Sequence, residues 1–386
     1  MNDFIIPLNK QVDVTSAKSL NGVKRNINKK VGHTGTLDKF AEGLLIALTG
    51  RYTKLTEEYM NLKKTYLATI KFGEETDTLD PEGKVIYTSS VIPSRDDIKE
   101  TLSSKFLGET TQTPPLYSAL HINGKRASDL ARTGVEFEIK ERKINIYSNE
   151  IVSYENGLLT ARFEVSRGTY IRSIARDLGV SLGSRGYLTA LKRERIGCFT
   201  LSDAVNSDDI EVLKSEYTHQ DREEYALAIG VFDGLHPGHR KLVSLLNETA
   251  SKYGLKSLVI TFDKSPKGVS EFLTLDEKIN ALMRLGVDRV EVLKWNDTLK
   301  DTTGASFMLN LIKRFNIKKI VTGHDFSVGN IHSELKIDDL RLFFGKNDIV
   351  TLDDFGIDDI KRISSTYIHS LYNSGDKERA KKLLYL

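Results

Sequence analysis

Two glycine-rich stretches constrain this chain most, because each demands a sharp backbone turn within a different pattern of elements. Gly32-His33-Thr34-Gly35-Thr36-Leu37-Asp38 lies near the start, among runs of strand-like composition. The second, residues 230–239 (GVFDGLHPGH), begins beyond the midpoint, where strand and helix patterns alternate. A chain of 386 residues is too long for one ordinary core, and roughly 100–200 residues per domain gives two or three domains. A polar, charge-rich segment, 202–224, separates the two patterns. Residues 1–205 are therefore expected to form one domain, 206–224 the linker and 225–386 a second domain.

Composition narrows the class. Hydrophobic residues at 39% and charged residues at 28% suit a soluble globular protein. No apolar run approaches the ~20 residues that span a bilayer, and no basic, then apolar, opening marks a signal peptide. A single cysteine, Cys198, rules out an internal disulfide, so a cytoplasmic location is expected. The net charge of +3 is unevenly spread. Up to Asp203 there are 30 Lys+Arg against 25 Asp+Glu, and 26 against 28 beyond it, so the first part is mildly basic and suits an RNA partner.

Residues 66–72 and 158–165 have strand composition. Ile171, Ile174, Ala175 and Leu178 repeat with helical spacing, so the first domain is expected to be α+β with a mixed β-sheet. In the second, strands are expected at 226–231, 258–262, 289–293 and 319–322. Helices are expected at 237–253, 275–285 and 305–315. That alternation predicts an α/β, Rossmann-like, doubly wound sheet.

Around Asp38, dense Gly and Thr predict a tight loop with free backbone N–H groups that holds the carboxylate in place. The apolar run 41–48 (AEGLLIAL) is expected to be a buried helix anchoring that loop, and Asp38 as a mere helix cap is the plain alternative. The pattern GHTGTLDxxAxGLL resembles the active-site signature of the TruB family of tRNA pseudouridine synthases. Further blocks follow in that family's order: Lys64-Thr65-Tyr66, then 72–83 (FGEETDTLDPEG), 112–120 (QTPPLYSAL), 166–173 (SRGTYIRS) and Leu191-Lys192-Arg193. The resemblance implies conversion of uridine 55 in the tRNA T-loop to pseudouridine, without metal or organic cofactor, on a base first flipped out of its stack.

Breaking the C1′–N1 bond and rejoining the base at C5 needs a carboxylate at the ribose, as nucleophile at C1′ or base at C2′. Asp38 is the candidate, with the Arg172 guanidinium holding it ionised. Tyr66 would stack on the flipped base and take part in removing the C5 proton; otherwise it is a half-buried strand tyrosine. His33 would brace the space and Leu191 would pack beside the base; each also has a purely structural reading. Lys10, Lys24, Arg25, Lys29 and Lys30 are candidate phosphate contacts, or a solvated basic face. The family's opening DKPxGxTS is reduced here to 9–16 (NKQVDVTS), which keeps Lys10, Thr15 and Ser16 but lacks its Pro and Gly. The small RNA-binding domain that ends many members has no counterpart before the linker.

In GVFDGLHPGH, Gly230, Gly234 and Gly238 allow close approach of a ligand, and Pro237 suits a first helical turn. His236 and His239 then stand at a helix N-terminus, which favours an anion, and can donate hydrogen bonds to an α-phosphate. A zinc pair is the rival, with no further Cys or clustered His to support it. The stretch resembles the bacterial FAD synthetase (RibF-type) adenylyltransferase family, with 261–262, 273–278, 321–329 and 362–366 following in order. The resemblance implies FMN + ATP → FAD + pyrophosphate with Mg²⁺. It places Gly230, Phe232, Asp233, Gly234, Gly238, Asp325, Arg362, Ser365 and Thr366 at the ATP phosphates.

Departures are Lys264-Ser265-Pro266 for the family's PHP, His324 before Asp325, and Tyr367 and His369 where the family has arginines. No riboflavin kinase domain follows, so riboflavin phosphorylation is not expected. A bifunctional enzyme is the leading expectation. The alternatives are an active synthase with a degenerate nucleotide-binding module, or a non-catalytic tRNA-folding chaperone.

Overall fold

The computed structural model describes residues 3–118, 120–122, 124–133, 137–218, 223–266, 268, 271–353 and 365–384. The chain divides into two compact units, Met1–Tyr217 and Thr218–Leu386. No helix among the described residues is long and apolar enough to cross a membrane.

The first unit is built on a mixed ten-stranded sheet. Its path runs through Val205–Asn206, Ile5–Lys10, Glu42–Thr49, Gly186–Ile196, Lys64–Phe72, Leu158–Val165, Arg142–Glu155 and Gly108–Gln112. Val31–His33 pairs with Glu42–Thr49, and Phe199–Thr200 with Gly186–Ile196. Period-two burial along Lys64–Phe72 and Leu158–Val165 puts Tyr66, Ala68, Ile70, Phe163 and Val165 into one core with Leu178 of the helix Ile171–Ser181. Burial of Ile70, Phe163, Val165 and Leu178 contributes roughly 1.5–3 kcal/mol each.

Two expectations fail here. The 41–48 run is not a helix but the strand Glu42–Thr49, antiparallel to Ile5–Lys10 and Val31–His33 and parallel to Gly186–Ile196. Asp38 therefore caps no helix after it. A strand covered on both faces is apolar throughout, so its period cannot be told from that of a buried helix. Gly43 lets the strand in, since at φ +110° a Cβ would lie 2.4 Å from the Arg193 carbonyl oxygen.

Most of the expected linker, 206–224, is also folded. Val205–Asn206 extends the sheet beside Ile5–Lys10, and Asp209 caps the helix Ile210–Glu216 by accepting from the Val212 N–H. Leu213 and Tyr217 are fully buried, Tyr217 edge-on to Phe4. Ile210, Leu213 and Tyr217 lie one helical face apart, a stripe that the surrounding charge hid.

The second unit has a five-stranded parallel sheet in the order Arg289–Leu293, Lys256–Phe262, Glu224–Ile229, Asn316–Gly323, Ile349–Leu352. The chain builds outward from Glu224–Ile229 in one direction, then returns to its other side. That reversal makes a switch point between Glu224–Ile229 and Asn316–Gly323, where such sheets bind ligands at their carboxyl ends. The helix Pro237–Tyr253 starts on Pro237 and stops at Gly254, left-handed at φ +66°. A Thr274–Glu277 capping box starts the helix Leu275–Arg284.

Candidate active sites

Asp38 stands on the loop between Val31–His33 and Glu42–Thr49, and its neighbours pin it from both sides. The Ser16 hydroxyl donates to the Leu37 carbonyl at 2.9 Å and accepts from the Leu37 N–H at 2.8 Å. The buried Lys10 ammonium donates to the carbonyls of Gln11, Lys39 and Ala41. All three of its N–H groups are so used, and burial pulls its pKa down to about 8, against Asp38, which raises it. Lys10 thus braces the loop that carries Asp38; it has no N–H left for the phosphate contact expected of it.

Arg172, in the first turn of Ile171–Ser181, is the hub. One terminal nitrogen donates to Asp38 Oδ1 at 2.9 Å and the Tyr117 carbonyl at 3.0 Å. The other donates to Asp80 Oδ2 at 3.1 Å and the Thr78 carbonyl at 2.9 Å. Asp80 also accepts from the Thr78 hydroxyl at 2.6 Å and the Glu82 N–H at 3.1 Å. Burial pushes the Asp80 carboxyl up, against Thr78 and Arg172, which pull it down. The Asp38 side chain stays one-third exposed, whereas those of Asp80 and Arg172 are buried, so Asp38 is the carboxylate a substrate can reach.

Tyr66 and Leu191 lie in the same core cluster as Leu37, the residue before Asp38. Tyr66 pairs across the sheet with Phe163 and Arg193. Arg193 is fully buried, donates to the carbonyls of Leu44 at 2.7 Å and Gly35 at 3.2 Å, and lies 6.0 Å from the Tyr66 ring centre. His33 accepts the Gly35 N–H on Nδ1 at 3.4 Å, which leaves its neutral proton on Nε2. Burial, then Arg193, lowers its pKa. Lys24, Arg25, Lys29 and Lys30 are exposed just ahead of this loop.

In the second unit, His236 caps Pro237–Tyr253 through its own ring, Nδ1 accepting the His239 N–H at 3.3 Å. The two imidazoles stack with centres 3.7 Å apart. Burial, then Arg240, brings His236 down to about 4; burial, then His236 and Lys278, puts His239 well below its ordinary value. Both rings are neutral at physiological pH, and His236 presents an Nε2–H as donor. Lys278, itself buried, donates to the Phe262 carbonyl at 3.0 Å and lies 3.4 Å from Glu271.

Not every residue expected at the phosphates faces outward. Phe232, left-handed at φ 53°, is fully buried, its ring packed under Gly230 and beside His239. Asp233 is buried too, accepting the Phe272 N–H at 2.7 Å, with His369 Nε2 3.4 Å from its other oxygen. These two shape the loop from within. Gly234, left-handed at φ +68°, leaves room for Leu384. Gly230 directly follows the strand Glu224–Ile229, and Gly238 lies in the first turn of Pro237–Tyr253. Asp325 is exposed on the loop after Asn316–Gly323. Ser365 and Thr366 open the helix Ser365–Asn373; Arg362 lies outside the described residues.

The model of the TruB family pseudouridylate synthase N-terminal domain matches residues 24–171. A tRNA pseudouridine synthase B of Borreliella afzelii is 48% identical over 206 residues, covering 53% of this chain and 72% of that protein. The chain belongs to the TruB family. A second tRNA pseudouridine synthase B, from Rickettsia bellii, is 39% identical over 69% of this chain and 89% of its own length. The FAD synthetase model matches residues 218–367, so a TruB unit is fused to an FAD synthetase unit. Among solved structures, a chain of a Cbf5-Nop10-Gar1 complex is similar at 24% identity and a TM-score of 0.43, over 57% of each chain.

In the TruB unit, Asp38 lies against Arg172 as expected, and Tyr66 and Leu191 share one core cluster with Leu37, but the sequence reading passed over Asp80 and Arg193. Both lay in quoted motifs, 72–83 and Leu191-Lys192-Arg193. The available signal was a second acid beside an arginine-dependent one, and an arginine within an otherwise apolar strand face.

Proposed function

We propose that the TruB unit isomerises uridine 55 in the T-loop of tRNA and that the FAD synthetase unit adenylylates FMN. The observation that carries the first part is Arg172 bridging a reachable Asp38 and a buried Asp80. Asp38 attacks C1′, or removes the C2′ proton, as the C1′–N1 bond breaks. The base turns and C5 bonds to C1′ as the Asp38–C1′ bond breaks, or as the proton returns to C2′; C5 then loses its proton and N1 gains one, so no co-reactant is consumed. Tyr66 and Leu191 offer the flipped base an aromatic and an aliphatic wall, and the exposed lysines before the loop meet phosphates.

For the second part, the support is the stacked, neutral His236–His239 pair at the N-terminus of Pro237–Tyr253, beside the switch point. Neutral imidazole N–H groups and helix N–H groups stabilise charge growing on an α-phosphate. Among the described residues no group of three or more His, Cys, Asp or Glu is placed to hold a metal. The single exposed carboxylate of Asp325 suits Mg²⁺ that arrives on the ATP phosphates, since Mg²⁺ commonly takes one or two carboxylates plus phosphate oxygens. The ion would neutralise phosphate charge.

The test is one preparation of the full chain, given an unmodified tRNA transcript and, separately, FMN with ATP. Pseudouridine at one T-loop position, lost in Asp38→Asn, and FAD, lost in His236→Ala, are the expected results. The substitutions Tyr367 and His369 favour a second reading, a synthase with a degenerate nucleotide unit. Pseudouridine without FAD would support it, and neither product would leave a tRNA-binding role.

A further inference from the structure

The chain has one tryptophan, Trp295, and it stands at the carboxyl end of the parallel sheet, the end at which sheets of this kind take ligands. It follows Arg289–Leu293 by two residues, next to the end of the paired strand Lys256–Phe262. Its backbone N–H donates to Asp263 Oδ1 at 2.7 Å, which holds the loop to that strand end. Its indole meets the Phe262 ring edge-on, centres 5.9 Å apart. Phe262 is buried, but Trp295 is only half-buried.

The chemistry of adenylyl transfer says which side this rim serves. The acceptor oxygen and the departing pyrophosphate lie on opposite sides of the α-phosphorus. The segments expected at ATP, around Asp325 and Ser365-Thr366, follow the strands Asn316–Gly323 and Ile349–Leu352. Those strands lie on one side of Glu224–Ile229, and Lys256–Phe262 and Arg289–Leu293 lie on the other. With ATP held on the first side, an in-line acceptor enters over the second pair. At this rim Trp295 meets Phe262, whose carbonyl accepts from the buried Lys278.

We propose that Trp295 is the platform on which the isoalloxazine ring of FMN rests, with the ribityl chain carrying the phosphate back toward His236 and His239. This rests on the adenylyltransferase reading. An FMN phosphate oxygen bonds to the α-phosphorus as the bond to the β-phosphate oxygen breaks, and pyrophosphate leaves with that electron pair. The acceptor phosphate reacts as its dianion, so no proton has to be removed. A planar tricyclic ring gains from an aromatic face as a nucleic-acid base does, and loss of such a face costs roughly ten- to a hundredfold in affinity.

The lone tryptophan makes the test direct. In the full chain, its fluorescence is followed during titration with FMN alone and with ATP alone, which needs no turnover. Steady-state FAD synthesis is then compared in wild type, Trp295→Phe and Trp295→Ala. The expected results are quenching by FMN but not by ATP, a KM for FMN raised about tenfold or more in Trp295→Ala, an unchanged KM for ATP, and near-normal values in Trp295→Phe. FAD synthesis with an unmoved KM for FMN in Trp295→Ala, or quenching by ATP instead, overturns the proposal. Failure of the adenylyltransferase reading looks different: no FAD from wild type, while FMN quenching still reports whether the platform binds flavin.

Discussion

Asp80→Asn separates the charge of the inner carboxylate from its shape. Asp80 is buried, so it cannot touch RNA, yet it holds Arg172 from behind at 3.1 Å while Asp38 holds it in front at 2.9 Å. Breaking a buried ion pair outright costs about 3–5 kcal/mol. Here Arg172 keeps Asp38 and the carbonyls of Thr78 and Tyr117, so the loss is nearer that of one charge-assisted hydrogen bond, about 1.5–3 kcal/mol. If that energy serves to aim Asp38 in the transition state, kcat falls by roughly 10- to 150-fold. The KM for tRNA stays put, because no RNA contact is lost. Tritium release from 5-tritiated uridine in a tRNA transcript gives both constants, and a thermal melt checks that the unit is folded. Asp38→Asn in parallel sets the floor. A folded Asp80→Asn protein with wild-type kcat would refute the reasoning, as would a change in KM alone.

Other consequences follow from single features. Lys10→Met should lower kcat with little change in the salt dependence of tRNA binding, whereas Lys29→Ala should weaken binding and reduce the salt slope by roughly one; filter binding across a salt series tells them apart. Gly43→Ala forces a Cβ into the Arg193 backbone at a positive φ, and should destabilise the TruB unit by about 3 kcal/mol or more in urea melts. A shift under 1 kcal/mol would mean the two strands separate easily. His236 sits at about 4 against an ordinary 6.5. The folded state therefore binds fewer protons between those values, so its stabilising effect is full above pH 6.5 and fades as pH falls toward 4. The loss is about 3 kcal/mol. Urea melts of the FAD synthetase unit at the two pH values should show it, with a shallower slope in His236→Asn; equal slopes would count against a buried neutral ring.

Local elements were readable wherever spacing carried them. The 158–165 strand, the 237–253 helix and the 289–293 strand come out with the bounds their patterns predict, because burial on one face leaves a period of two or 3.6 in the chain. The 41–48 run has no such period, since neighbours cover both faces, and only its pairing with strands far along the chain makes it extended. The helix Ile210–Glu216 was hidden for the opposite reason: a short apolar stripe within charged sequence reads as solvated until there is a surface for it to bury against.

The same division runs through the sites. From the sequence alone came the two-part organisation, the candidate carboxylate Asp38 with its partner Arg172, and the histidine pair at a helix start. Each lies in a compact motif whose residue types state a chemistry. The tertiary structure decided which groups face a substrate. It turned Lys10 inward to brace a loop, buried Phe232 and Asp233 behind the nucleotide turn, and brought Asp80 across from another hairpin to hold Arg172. A motif records which atoms are available within a few residues, whereas burial and pairing depend on neighbours tens of residues away, and those only folding supplies.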